Sequence, residues 1–191
     1  MYTIENIENI IVINKSKFIA NIISVDSIDE INKYLDIIKN KYKDATHHCY
    51  AYILDNIKRF NDDNEPNGTA GMPILECLEK NNLNHVLCVV TRYFGGIKLG
   101  AGGLVRAYTS SVSKAIENTN KLEIIKGYNC DIIFSYPMIS EIDKMLEKYE
   151  ILNKIYDNEV IYNANIDDDI LNKIKNATIT IKKEIVIKRK L

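Results

Sequence analysis

Apolar and polar residues follow two different periods along the first part of the chain. Residues 5–13 and 17–25 are rich in isoleucine and valine on either side of a short polar connection, which predicts a β-hairpin. Ser27 and Glu30 have the spacing of a capping box, and the apolar residues after them recur at helical spacing, so we predict a helix over residues 28–41. Residues 47–54 alternate again and predict a strand. Residues 55–72 predict an irregular region, and Pro73 suits the first turn of the helix that follows.

The middle of the chain changes from a buried strand to an amphipathic helix. Residues 86–90 form a continuous apolar run, which is typical of a strand buried on both faces. A helix is predicted from Gly103 to about residue 117, because Leu104, Tyr108 and Val112 share one of its faces. A charged, asparagine-rich stretch ending in Gly127 indicates a domain boundary. We therefore predict an N-terminal domain over residues 1–122 and a C-terminal domain over residues 127–191.

The C-terminal domain alternates strands and helices in the order β-α-β-β-α-β, which predicts a ferredoxin-like fold. The fold class of the whole chain is therefore α+β. Tyr128, Phe134 and Tyr136 fall on the apolar side of the first strand of this domain. We expect them to be buried, which leaves no aromatic platform on this sheet for RNA bases.

Charge and composition exclude several classes of protein. The 25 basic and 26 acidic side chains give a net charge of −1, so any contact with RNA or DNA must be local rather than based on bulk positive charge. No apolar run approaches membrane-spanning length, and the first residues lack the pattern of an export signal. The four cysteines have the spacing of neither a zinc site nor a disulfide framework. We expect a cytoplasmic protein with no membrane partner, no metal and no cofactor.

The most specific stretch is residues 95–103, which we name the glycine-rich segment. It holds five of the eight glycines and lies between two of the only four arginines. A glycine-rich loop that leads into a helix N-terminus directs several backbone N–H groups at one anion. We predict an anion or nucleic-acid site here, whereas a tight strand-to-helix turn without a ligand is the alternative. Its residues are Arg92, Gly95, Gly96, Lys98, Gly100, Gly102, Gly103 and Arg106.

Arg106 requires a negative partner, because the first turn of the predicted helix is unfavourable for a cation. A phosphate or a carboxylate from a partner satisfies that requirement, and so does an internal carboxylate from the loop that carries Asp62, Asp63 and Glu65. With His48, these three acidic residues form an accessory loop that also suggests a metal-assisted hydrolase, a weaker hypothesis. His47 and His48 are neighbours on a predicted strand and must face opposite sides of it.

Three motifs occur in an order that resembles the IMPACT/YigZ family. They are Ala-Thr-His-His-Cys-Tyr-Ala-Tyr at 45–52, Asp-Asp-Asn-Glu-Pro-Asn-Gly-Thr-Ala-Gly-Met-Pro at 62–73, and the stretch 91–108 that contains the glycine-rich segment. The resemblance extends over residues 15–116, and the C-terminal half is similar to the second domain of the family's bacterial members. It implies the two-layer α/β fold of ribosomal protein S5 and of domain IV of elongation factor G, followed by a domain resembling domain V of that factor.

The resemblance also implies a role. The eukaryotic members are translation regulators that bind the activator of an amino-acid-sensing kinase and associate with ribosomes. Those members have an extra N-terminal domain. For a bacterial-type member it implies a nucleic-acid-binding or ribosome-associated role, with RNA, the ribosome or a translation factor as partner. We predict a non-enzymatic, translation-linked protein that uses the glycine-rich, locally basic loop. The alternatives are a kinase-like or metal-assisted enzyme for a small phosphorylated ligand, and a pure protein-interaction module.

Overall fold

The computed structural model describes residues 1–190, which form two compact units. The first unit comprises Met1–Glu123 with Lys190, and the second comprises Ile124–Arg189. The elements of the first unit are β1 (Tyr2–Ile4), β2 (Ile7–Ile13), β3 (Ser16–Ser24), α1 (Ile28–Lys41), β4 (His47–Leu54), β5 (Ile57–Asn61), α2 (Gly71–Lys80), β6 (Val86–Tyr93) and α3 (Gly100–Glu117). Strand β7 (Lys121–Phe134) continues into the second unit, which adds α4 (Ile139–Met145), β8 (Glu150–Tyr156), β9 (Val160–Asp167), α5 (Asp168–Lys173) and β10 (Thr178–Lys190).

The first unit is built on an antiparallel sheet with the strand order β2-β3-β6-β4-β5. Because successive side chains of a strand point to opposite faces, Cys88 and Val90 of the central strand pack with α2 and α3, while Leu87 and Val89 pack with α1. The apolar run therefore predicted burial on both faces correctly. Helices cover both faces of the sheet, so the unit has three layers and the implied two-layer arrangement is wrong. The specific likeness to S5 and to elongation factor G stays a prediction.

Local sequence signals explain the confirmed elements. Ser27 Oγ accepts a hydrogen bond from the backbone N–H of Glu30 at 3.2 Å, and the Glu30 carboxylate accepts one from the N–H of Asp26 at 2.8 Å, so α1 begins at Ile28 as predicted. Asn14 and Lys15 have positive φ angles of 45° and 64°, as a tight two-residue hairpin turn between β2 and β3 requires.

Several elements differ from the prediction. Residues 57–61, predicted to be irregular, form the edge strand β5, whose five residues are all exposed and therefore show no apolar alternation. Helix α2 begins at Gly71, inside the predicted irregular region, and has Pro73 in its first turn as predicted. Helix α3 begins at Gly100 rather than Gly103. Strand β7 begins at Lys121, inside the predicted boundary stretch, because its first three residues pair with β1.

The second unit confirms the predicted order β-α-β-β-α-β. Its strands follow the order β10-β7-β9-β8, so β7 and β9 are central. Cys130, Ile132 and Phe134 of β7 are buried with residues of β9 and both helices. The prediction for Tyr136 is wrong, because this residue lies in a short 3₁₀ turn after the strand and is exposed. In residues 1–190, every helix is too short or too polar to cross a membrane.

A buried histidine joins several elements of the first unit. His85 Nδ1 lies 3.1 Å from Asp26 Oδ1, and its Nε2 lies 3.0 Å from Asp55 Oδ1. Thr3 also donates a hydrogen bond to the His85 carbonyl oxygen. Ionised carboxylates accept hydrogen bonds only, so both ring nitrogens of His85 must carry a proton to satisfy them. The hydrogen bonds to Asp26 and then Asp55 accordingly raise the pKa of His85 above its ordinary value of 6.5.

We predict that His85 makes the free energy of unfolding depend on pH. Its pKa is higher in the folded state than in the unfolded state, so its contribution is fully present below a pH of about 6.5 and is lost as the pH rises through the raised value. Urea unfolding of the wild type and of His85→Gln should give a stability difference that is larger at acidic than at alkaline pH.

His48 provides a control of opposite sign. Burial lowers its pKa, so its contribution to stability should increase rather than decrease as the pH rises. If the stability difference between the wild type and His85→Gln stays constant with pH, the two carboxylate contacts do not hold the imidazolium form.

Candidate functional site

One groove of the first unit contains several of the residues that the sequence singled out. It lies where β4 starts, where β6 ends and where α3 starts, has a volume of about 350 Å³, and is named the α3 groove below. Its lining residues are Thr46, His47, Glu65, Pro66, Arg92, Phe94, Lys98, Leu99, Gly100, Ala101 and Leu104.

The strand register explains why Arg92 and His47 meet there. His47 of β4 lies opposite Arg92 of β6, and both follow the alternation that directs Cys49 and Val90 toward α2 and α3. Beyond the paired residues, the Thr46 N–H donates to the Arg92 carbonyl oxygen at 2.8 Å. The pleat therefore places both side chains on the helix-covered face, at the open end of the sheet.

A buried ion pair occupies the inner part of the groove. Arg92 Nη1 donates to Glu65 Oε1 at 2.6 Å, and only 5% and 8% of these two residues are exposed. The Tyr108 hydroxyl donates to the same carboxylate oxygen at 2.8 Å, and Arg92 Nη2 lies 3.4 Å from Ser16 Oγ. The predicted internal carboxylate therefore exists, but its partner is Arg92 rather than Arg106. Arg92 Nε is also buried and has no acceptor in residues 1–190.

His47, which was not among the predicted site residues, lines the groove instead of His48. Its Nδ1 lies 2.7 Å from the Asp63 carbonyl oxygen and must donate to it, since a carbonyl only accepts, and its Nε2 lies 3.8 Å from Glu65 Oε1. His48 lies on the opposite face, with Nδ1 3.2 Å from Thr91 Oγ1. The alternation of β4 indicates that His47 shares a face with Cys49. Only the pairing of β4 with β6 shows that His47 lies beside Arg92 on that face.

The acidic loop is held by its own hydrogen bonds. The Asp62 carboxylate accepts from the backbone N–H groups of Gly68, Ala70 and Gly71 at 2.8–3.0 Å and so caps the start of α2. Asp63 Oδ2 accepts from the His48 N–H at 2.6 Å. Within the described residues, no three His, Cys, Asp or Glu side chains form a group that could hold a metal ion. The accessory loop of His48, Asp62, Asp63 and Glu65 is therefore a set of structural contacts, and nothing in its geometry favours the hydrolase.

The glycine-rich segment does not form one loop. Gly95 lies where a Cβ atom would be 2.0 Å from the carbonyl carbon of Lys15, so only glycine allows the hairpin turn to approach this closely. Gly96 and Gly100 have positive φ angles, and Gly102 and Gly103 belong to the first turn of α3. Among these five glycines, only Gly100 lines the groove.

The N-terminus of α3 has free backbone donors. Leu99, the residue before the helix, offers no side-chain acceptor, and no acceptor for the first N–H groups of α3 is present in residues 1–190. Arg106 lies in the second turn rather than the predicted first turn, since the helix begins at Gly100. Its Nη1 nevertheless lies along Gly102, 3.6 Å from where a Cβ atom would stand. Lys98 and Arg106 are both exposed and have no carboxylate partner in the described chain.

The cysteines are unsuited to nucleophilic chemistry. All four are buried and unpaired. Cys49, the one nearest the groove, has its Sγ 3.0 Å from the Asp62 carbonyl oxygen and 3.3 Å from the Tyr108 hydroxyl. Burial raises the pKa of the Cys49 thiol to about 12, and burial also raises the pKa of Tyr108, so both groups stay protonated at neutral pH.

Residues 14–116, more than half of the chain, match the Impact N-terminal domain family. The chain belongs to the IMPACT family. It is 40% identical to the IMPACT family member YvyE of Bacillus subtilis, a match that covers 84% of this chain and 73% of that protein. An IMPACT family member of Haemophilus influenzae is 36% identical over 73% of this chain and 70% of its own. A solved structure of a hypothetical protein aligns with 90% of this chain and 87% of its own, at 27% identity and a TM-score of 0.64.

We predict that the Glu65–Arg92 pair of this family member acts as one unit. Glu65→Ala leaves a buried guanidinium without its counter-ion and should lower the free energy of unfolding by about 3–5 kcal/mol. The double variant Glu65→Leu/Arg92→Met removes both charges and should recover most of that loss in urea unfolding. A double variant no more stable than Glu65→Ala would contradict this coupling.

We also predict that Gly95 and Gly102 respond in opposite ways to a methyl group. Gly95→Ala drives a Cβ atom into the backbone at Lys15 and should destabilise the unit by at least about 1–3 kcal/mol. Gly102→Ala meets only the flexible Arg106 side chain within a helix and should stabilise it by about 0.5–1 kcal/mol. Thermal unfolding of both variants tests this, and equal effects would show that the close approach at Gly95 does not constrain the fold.

Proposed function

We propose that this IMPACT-family protein is a non-enzymatic, translation-linked binding protein. In this proposal, the α3 groove and the cations next to it bind a phosphate of RNA, either in free RNA or on the ribosome. The link to translation comes from the role that the family resemblance implies, and the mode of binding comes from the groove.

The observation that carries the proposal is a pair of cations without a partner among residues 1–190, next to a helix start that has no side-chain cap there. Lys98 lines the groove, and the Arg106 guanidinium lies along the first turn of α3. The free N–H groups at the start of an 18-residue helix and the positive end of its dipole favour an anion at the same place. In this proposal, a phosphate at the helix start accepts hydrogen bonds from the free N–H groups and from Lys98, and Arg106, which does not line the groove, adds positive charge nearby.

The inner charges of the groove do not oppose this. The Glu65 carboxylate is neutralised by Arg92 and accepts a further hydrogen bond from Tyr108, so it offers little repulsion to an incoming phosphate. Lys98 and Arg106 then remain as net positive charge on a chain whose total is −1. Their small number supports a local contact with one phosphate group rather than a long basic track.

A small phosphorylated molecule is a second candidate, because a groove of about 350 Å³ falls within the size range of small-molecule sites. A kinase-like enzyme would use the same anion contacts. Thermal shift with ATP and magnesium separates the two candidates: stabilisation by the nucleotide alone supports the enzyme, and stabilisation only by RNA supports the proposal.

We expect Lys98→Glu/Arg106→Glu to reduce affinity for RNA about tenfold or more at low salt, because charged hydrogen bonds are worth about 1.5–3 kcal/mol each. The salt dependence of the affinity should also weaken, by about one in log–log slope for each phosphate that the variant no longer neutralises. Ribosome co-sedimentation and anisotropy with labelled RNA measure both effects. Arg92 is left unchanged, since its buried pair with Glu65 stabilises the fold.

A matched control is Lys33→Glu/Lys39→Glu, which makes the same change in charge on α1, a helix that packs on the other face of the sheet. This control should bind RNA nearly as the wild type does. Equal affinity of the wild type and of Lys98→Glu/Arg106→Glu, with both folded, would refute the proposed site.

A further inference from the structure

Phe94 is a large aromatic residue left exposed on the wall of the α3 groove. It follows β6 directly, and 46% of it is exposed, although the first seven residues of that strand are buried. The ring thus leaves the core just after the strand and lies at the surface of the groove, together with Lys98 and the other groove-lining residues. Its exposed surface is therefore available to a ligand that enters the groove.

The backbone that carries the ring is held in place on both sides. The Phe94 N–H donates to Thr46 Oγ1 at 3.0 Å, and the N–H of Gly95 donates to Ser16 Oγ at 3.1 Å. Gly95 is also pressed against the backbone of Lys15. The Arg92 guanidinium carbon lies 5.6 Å from the centre of the Phe94 ring. The ring is thus positioned before any ligand arrives, which lowers the entropy cost of binding.

An exposed ring next to a phosphate site fits one class of ligand especially well. Proteins that bind single-stranded nucleic acid combine positive groups for the backbone with aromatic rings on which unpaired bases stack. In a duplex, each base is covered on both faces by the neighbouring bases, so an aromatic ring on the protein surface cannot stack on it. Every unpaired nucleotide carries both a phosphate for Lys98 and a base that stacks on a ring such as Phe94, whereas an acidic protein segment supplies carboxylates without a base.

Resting on the proposed function, we infer that Phe94 is the stacking platform for one unpaired base of RNA. The phosphate next to that base lies at Lys98 and the start of α3. The α3 groove therefore selects single-stranded RNA over duplex RNA.

The test compares three polyanions: an unstructured single-stranded RNA, a duplex of the same length, and inorganic polyphosphate, which has phosphates but no bases. Phe94→Ala should weaken binding of the single strand by at least about fivefold and leave binding of the duplex and of polyphosphate nearly unchanged. Phe94→Tyr should retain most of the affinity. Ile97→Ala is the matched control, since Ile97 is 43% exposed in the same segment but does not line the groove.

A second measurement reports stacking directly. The chain contains no tryptophan, so Phe94→Trp introduces a single indole fluorophore. Its emission should be quenched on adding the single strand and should change little with polyphosphate.

The outcomes separate the inference from the proposal on which it rests. If Lys98→Glu weakens binding of all three polyanions while Phe94→Ala affects none and Phe94→Trp is not quenched, the stacking role is overturned and the phosphate site stands. If the wild type binds neither RNA nor polyphosphate, the proposed function itself fails. Tighter binding of polyglutamate than of the single strand would point to an acidic protein partner and would also overturn the inference.

Discussion

The buried pair of Glu65 and Arg92 is the interaction on which the geometry of the α3 groove depends. Its two charges lie out of water, and the contacts around them come from separate parts of the chain: the loop before α2, the central strand, the Tyr108 hydroxyl on α3 and Ser16 at the hairpin. Such a pair is stable only when the geometry around it is complete. It therefore fixes how the central strand, α3 and the hairpin meet, and the α3 groove is the surface that results.

The same pair determines the electrostatics of the site. Once Arg92 is neutralised inside the unit, the charge available to a ligand comes from Lys98 and Arg106, which are exposed and flexible, and from the fixed N–H groups of α3. The site thus joins a rigid part, consisting of the helix start and Phe94, to two side chains that can adjust to the ligand. That division suits a polyanion whose phosphate is always the same but whose base varies.

The sequence predicted the elements whose burial leaves a periodic or continuous apolar pattern and missed those that leave none. Helix α1, the hairpin, β4, β6 and the order of the second unit follow from apolar spacing and local caps. Strand β5 escaped prediction because an exposed edge strand has no buried side to mark it. The groove was predicted in part, because Arg92, Lys98 and Gly100 all line it. The pairing of Glu65 with Arg92 rather than with Arg106 depends on strand order and register. His47 and Phe94 enter the site for the same reason, which no local pattern records.

The strand order of the first unit has a consequence for how the protein is made. The central strand β6 is the last of its sheet along the chain, and the hairpins β2–β3 and β4–β5 are joined only through it. While the chain emerges from the ribosome, the two hairpins have no shared partner until residues 86–93 are available. Arg92 lies at the end of that strand, and α3 follows it. The groove is therefore among the last parts of the unit to assemble, and a nascent chain cannot bind through it before its scaffold is closed.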